Sequence, residues 1–145
     1  MRVYSPCKGK VQDIQYVDDK IFSQYMMGVG FFVVTDDNDI YSPVEGKVEF
    51  VADTKHAIVI KTDECSVMVH VGLDTCHLKG KPFNILVNEG DEVSLNQKIM
   101  EVDHNLIREN NLNDDVIVIV IENKDETLLQ GMPVEVLTGD VVINH

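Results

Sequence analysis

Six consecutive β-branched residues, Val116-Ile117-Val118-Ile119-Val120-Ile121, do most to limit what this chain can become. Branching at Cβ disfavours the helix, and the run carries no polar position to mark a solvent face. It predicts a strand buried on both sides. Phe31-Phe32-Val33-Val34 is also apolar on both faces and predicts a strand over 31–35. Further strands are expected over 46–51, 53–62, 66–71 and 97–102. Helical structure is confined to a short turn within 18–27 and to 103–110, where Asp103 is placed to cap the N-terminus. The expected fold class is all-β: an antiparallel β-sandwich or flattened barrel with short helical turns.

Two short patterns recur. Ser5-Pro6-Cys7-Lys8-Gly9-Lys10-Val11 returns as Ser42-Pro43-Val44-Glu45-Gly46-Lys47-Val48. Each predicts a turn feeding a strand. Gly90-Asp91-Glu92-Val93 pairs likewise with Gly139-Asp140-Val141-Val142. Together they suggest two similar β-motifs that interlock. Biotinyl and lipoyl carrier domains show a related pattern, but they need a lysine at a hairpin tip, and no such tip is evident. Asp36-Asp37-Asn38-Asp39 lacks the glycine and distal glutamate of a calcium loop and predicts a solvated turn.

The 145 residues suit one domain, 1–145, with a real core. Against 12 basic residues stand 25 acidic ones, a net charge of −13. That balance argues against nucleic acid or an anionic membrane surface as partner, and for a basic protein partner. With no run of eighteen apolar residues and no basic-then-apolar leader, the expectation is a soluble cytoplasmic protein, not membrane-embedded. Cys7, Cys65 and Cys76 show no metal spacing, and an odd count does not suit a disulfide framework; they are expected to be reduced.

Chemistry concentrates in two segments. Asp53-Thr54-Lys55-His56-Ala57-Ile58-Val59-Ile60-Lys61-Thr62 predicts a strand with His56 at its start. Ser66-Val67-Met68-Val69-His70-Val71-Gly72-Leu73-Asp74-Thr75 predicts a strand that delivers His70 into a glycine turn. The polar break Thr62-Asp63-Glu64-Cys65 suits a hairpin. A three- or five-residue loop would put both histidines on one face. A two- or four-residue loop would put them on opposite faces, unless a bulge intervened. Two imidazoles at adjoining strand ends can share a metal ion or a phosphoryl group, and the spacing does not say which histidine is modified. His104 is expected at the surface, in the first turn of the 103–110 helix. No function is assigned to it, to His77 or to His145.

These segments resemble the glucose-type enzyme IIA family of the sugar phosphotransferase system. The resemblance rests on Thr54-Lys55-His56-Ala57 and His70-Val71-Gly72-Leu73-Asp74-Thr75, followed by Leu78-Lys79-Gly80 and Phe83. It extends to Phe22-Ser23, Met26-Met27-Gly28, Ser42-Pro43-Val44-Glu45-Gly46, Gly90-Asp91-Glu92-Val93 and Glu122-Asn123, and so covers nearly the whole chain in order. It implies the duplicated hybrid-motif version of the sandwich and a phosphoryl carrier that uses a phosphohistidine and no cofactor. His70 would accept the phosphoryl group from the histidine phosphocarrier protein and pass it to a cysteine of a IIB domain of a sugar permease. His56, oriented by Thr54, would donate to the phosphoryl oxygens, with backbone N–H groups after Gly72 completing the cradle. Asp74 would stand at the rim to pair with a partner's arginine, and Val71, Leu73, Ile58 and Phe83 are candidates for an apolar docking face.

Two positions depart from the family pattern. Val29 stands between Gly28 and Gly30 where the family usually carries an aspartate, which puts partner contacts at that site in question. Restoring the charge there is expected to strengthen docking. Ile117-Val118 replace a threonine-proline. Other classes remain. The same face would serve a regulatory docking module. A zinc hydrolase of related hybrid architecture needs at least three protein ligands, and only His56 and His70 are in view, so any zinc there would be adventitious.

Overall fold

The computed structural model describes residues 1–123 and 131–144, which leaves His145 outside the described residues. Along the chain come β1 (Arg2–Tyr4), β2 (Gly9–Asp13), a 3-10 turn at Ile14–Tyr16, α1 (Lys20–Ser23), β3 (Gly28–Val34), β4 (Asp39–Tyr41) and β5 (Gly46–Val51). Then follow β6 (Ala57–Lys61), β7 (Ser66–Val71), a 3-10 turn at Thr75–Leu78, β8 (Phe83–Ile85), β9 (Glu92–Val93) and β10 (Lys98–Val102). The last are α2 (His104–Glu109), β11 (Val116–Ile121), β12 (Val134–Val136) and β13 (Val141–Asn144). The expected strands and both helical segments are present, and Asp103 caps α2 by accepting from the Leu106 N–H at 3.1 Å.

One large sheet runs β12-β2-β3-β11-β7-β6-β5-β9, and smaller sheets run β4-β10-β8 and β1-β13. The β11 run sits inside the large sheet, antiparallel to β3 and to β7. Its alternation sorts its side chains: Val116, Val118 and Val120 enter the main core, and Ile117 and Ile119 a second one. The main core is closed by residues of the small sheets and of α2, among them Val3, Ile40, Ile99, Ile107 and Ile143. This is the sandwich. The second core, on the other face, is roofed by Ile14, Val17 and Phe22 from the 14–22 segment.

The Ser-Pro repeat is a structural repeat. The Ser5 hydroxyl donates to the Cys7 carbonyl and the Ser42 hydroxyl to the Val44 carbonyl, both at 2.6 Å and both fully buried. The two turns also hold each other, Tyr4 N–H donating to the Pro43 carbonyl at 2.9 Å and Tyr41 N–H to the Pro6 carbonyl at 2.8 Å. The second repeat needs correcting. Ser5 N–H donates to the Asp140 carbonyl, and the matching bond from Ser42 N–H goes to Gln97, not to the Gly90-Asp91 turn. Asp140 closes its turn on the Leu137 N–H, as Gln97 does on that of Ser94. Gly90-Asp91 makes a similar Asp-closed turn, on Asn88, at another place in the motif. A tetrapeptide match detects the turn type and not its position.

Candidate functional site

The β6–β7 hairpin closes with Lys61 opposite Ser66, so its loop is the four residues 62–65. The Thr62 hydroxyl organises it, accepting from the N–H groups of Glu64 and Cys65, both at 3.1 Å. The ladder sets Ala57 opposite His70. Strict alternation would then send the His56 side chain to the other face from His70. Instead the two rings meet edge to face, with centroids 4.8 Å apart at 86°. His56 precedes the first ladder residue and follows Lys55, which has a left-handed backbone (φ 62°). Off the end of the ladder the two-residue period no longer applies, so a four-residue loop is compatible with the pair.

His70 projects into the second core, on the same face as Met68 and Ile117. Phe22 lies against its ring at 5.2 Å and 63°. Burial, and then the neighbouring His56 ring, push the His70 imidazole down to about 4. The backbone carbonyls of Gly72 and His70 and the charge of Asp19 act in the opposite sense. Nδ1 is buried with no hydrogen-bond partner among the described residues, which leaves Nε2 as the nitrogen open to a reactant. Burial also lowers His56. Its Nδ1 lies 2.7 Å from the Thr54 hydroxyl. Both rings are therefore neutral at neutral pH, His56 held from behind through Nδ1 by Thr54 and His70 seated with Nδ1 buried.

Past His70 the chain is fastened on both sides. Gly72 takes φ 78°, and a Cβ there would lie 2.4 Å from Thr75 Cγ2 and 2.5 Å from the Asn113 carbonyl oxygen. The Thr75 hydroxyl donates to the Val71 carbonyl at 2.6 Å. Of the N–H groups after Gly72 expected in the cradle, that of Leu73 is engaged elsewhere, by the Asn113 carbonyl at 3.1 Å, and the Gly72 N–H is taken by the Asp115 carbonyl at 2.7 Å. Asp74 is exposed in a left-handed conformation (φ 60°), and its side chain caps nothing in the turn that follows. Leu73 is half-buried at the margin of the second core.

Several expected positions lie elsewhere. Val71 is fully buried in the main core, as is Ile58, and Phe83 is 6% exposed there. None of them is available to a partner. Val29 is 7% exposed and packs in the main core. It stands opposite Val120, three ladder positions from the Phe32–Ile117–His70 row and on the other face of the sheet. It is not at a rim. His104, expected at the surface, is 2% exposed, with both ring nitrogens hydrogen-bonded.

Two neighbours of His70 escaped the sequence argument. Asp19 caps α1, accepting from the N–H groups of Ile21 and Phe22. Phe22 entered only as part of the family resemblance, with no role at the site. Nothing in their spacing from His70 brings them to it; β2, β3 and β11 had to be in register first. Among the described residues no three His, Cys, Asp or Glu side chains are grouped to hold a metal ion, and no helix is long and apolar enough to cross a membrane.

Residues 1–127 match the family described as phosphoenolpyruvate-dependent sugar phosphotransferase system, EIIA 1. The chain is 40% identical over 146 residues to the PTS system glucose-specific EIICBA component of Staphylococcus carnosus. That match takes in 97% of the chain and only 21% of the relative's length. It is 37% identical over 128 residues to the PTS system glucose-specific EIIA component of Staphylococcus epidermidis, covering 88% of the chain and 76% of the relative. The solved structure of the glucose permease IIA from Mycoplasma capricolum superposes with a TM-score of 0.85 at 31% identity, over 99% of this chain and 94% of that one.

Proposed function

The chain belongs to the phosphoenolpyruvate-dependent sugar phosphotransferase system EIIA 1 family, and from that membership we propose that it acts as one enzyme IIA unit, carrying a phosphoryl group on His70 Nε2. The observation that carries the assignment is the state of the His70 ring: neutral, seated against His56 and Phe22, with Nδ1 turned into the protein.

The neutral ring keeps its proton on the buried Nδ1 and its lone pair on Nε2. That lone pair attacks the phosphorus held on a histidine of the phosphocarrier protein. A P–N bond forms as the donor's P–N bond breaks, and the donor ring recovers its electron pair. Such a transfer asks the protein for alignment and charge stabilisation rather than further covalent chemistry. Attack leaves the His70 ring positive, and the carbonyls of Gly72 and His70 favour that charge. With the Thr54 hydroxyl donating to His56 Nδ1, the His56 proton sits on Nε2, ready for an equatorial phosphoryl oxygen. In the second half-reaction a cysteine thiolate of a IIB domain attacks, and the electron pair of the breaking P–N bond returns to Nε2. Asp74 and Leu73 lie at the margin of the site and are the docking contacts of this reading, Asp74 through an arginine of either partner.

Incubation with phosphoenolpyruvate, enzyme I and the phosphocarrier protein, followed by peptide mapping, tests the assignment. The expected product is acid-labile, base-stable phosphate on the peptide containing His70. Phosphate on His56, His77 or His104 would sink it.

A further inference from the structure

We propose that His104, acting through Asp114, positions the loop that follows His70. The proposal rests on the reading of His70 as the phosphoryl carrier and adds to it a residue on the far side of that loop.

The connection runs in three steps. First, His104 bridges two segments, its Nδ1 at 2.8 Å from Asp114 Oδ2 and its Nε2 at 2.8 Å from the Asp37 carbonyl oxygen. Both partners are acceptors, so both bonds form only when both ring nitrogens carry protons. Second, Arg108, one turn along α2, holds the same Asp114 oxygen through Nε at 2.7 Å. Its other nitrogens reach Asp36 Oδ1 at 2.7 Å and the Thr35 carbonyl at 3.0 Å. Asp114 is thus gripped by two side chains of α2, and both are tied to the β3–β4 connection. Third, the residues on either side of Asp114 supply the carbonyls that hold the loop: Asp115 takes the Gly72 N–H and Asn113 that of Leu73. The Asn113 side chain in turn donates to Asp115 Oδ2 at 2.9 Å, stiffening the pair.

A short lever carries the coupling. Gly72 is two residues from His70, its carbonyl bears on the charge of the His70 ring, and it rides directly against Asn113. Any displacement of 113–115 moves that carbonyl and the ring beside it. A buried, doubly bonded histidine is ordinarily a stability element. A role confined to stability would loosen the whole sheet alike. A positioning role acts first on Gly72, Leu73 and the His70 ring.

The test uses two variants, His104→Asn and Asp114→Asn. The second conserves volume at a partly exposed side chain, and the proposal stands on it should the first fail to fold. Three quantities are read: the ¹⁵N resonances of the His70 ring, amide exchange at Gly72 and Leu73 relative to Val118, and the rate of phosphate uptake from the phosphocarrier protein. The expected result is shifted His70 resonances, Gly72 and Leu73 amides that exchange about tenfold faster while Val118 does not, and uptake slowed about tenfold. Unchanged His70 resonances, or acceleration at Gly72 no greater than at Val118, overturns the proposal. If the unsubstituted protein takes up no phosphate, the carrier reading fails, and the resonances and exchange rates still decide the coupling.

Discussion

At His70 burial and basicity pull against each other. The folded ring holds off its proton down to about 4, while the unfolded chain binds it near the ordinary value of 6.5. Between those limits the unfolded state carries more protons, so stability falls as pH drops through that window and is level above it. The slope attributable to one such ring is at most about 1.4 kcal/mol per pH unit. Urea unfolding at pH 7, 6 and 5 should therefore be less pH-dependent in His70→Gln than in the unsubstituted protein, and equal slopes would show that the fold does not hold the ring neutral. His56 predicts a kinetic effect instead. In His56→Gln the nucleophile and a hydrogen-bond donor of similar reach remain, but the shape and charge behaviour of the cradle change, and with them the imidazole's own charge-assisted bond to the transition state. That bond is worth roughly 2–3 kcal/mol, or about 30- to 150-fold in rate. A transition-state effect slows uptake and return together and leaves the equilibrium in place. Normal rates in both directions in rapid-quench experiments would make His56 a structural residue only.

Strand parity carries the argument at the scale of elements. β3 sends Phe32 into the second core and Val29, Phe31 and Val33 into the main one. The three-residue step from Val29 to Phe32 changes face and spans about 10 Å of strand. An aspartate at 29 therefore gives no rim charge, and the docking gain expected from the sequence does not follow. It buries a carboxylate among Val120 and its neighbours. Val29→Asp is expected to destabilise the protein by about 3 kcal/mol, read as a lower urea midpoint. A midpoint close to that of the parent would mean that this end of β3 opens to water. The same parity rule misleads at His56, where the ladder has ended.

For the whole molecule, the two Ser-Pro turns make the halves mutually dependent, since each donates one backbone bond and accepts one across the junction. Their buried hydroxyls do the same work in the same geometry. Ser5→Ala and Ser42→Ala should accordingly cost similar amounts, about 1–2 kcal/mol each, in urea unfolding. A loss at one site with none at the other would show that the repeat is one of sequence only.

The strands, the capped α2 and the repeat were legible because local rules set them: β-branching, two-residue alternation, an aspartate before a helix, a serine-proline turn. The His56–His70 pair was legible as a motif, although the sequence left its loop length open and the four-residue loop is one whose strict parity would separate the rings. Which face each side chain meets was not legible. Val29 and Val71 were expected at the site and lie in the main core. Phe22 was not assigned to the site and lies against the His70 ring, and Asp19, also unassigned, acts on that ring through its charge. His104 was expected in solvent and is buried between Asp114 and the Asp37 carbonyl. Each of these depends on residues distant in sequence being brought into register, a property of the assembled sheets. Periodicity along one segment reports which residues share a face; only the packing of β3, β7 and β11 against their two cores decides what that face meets.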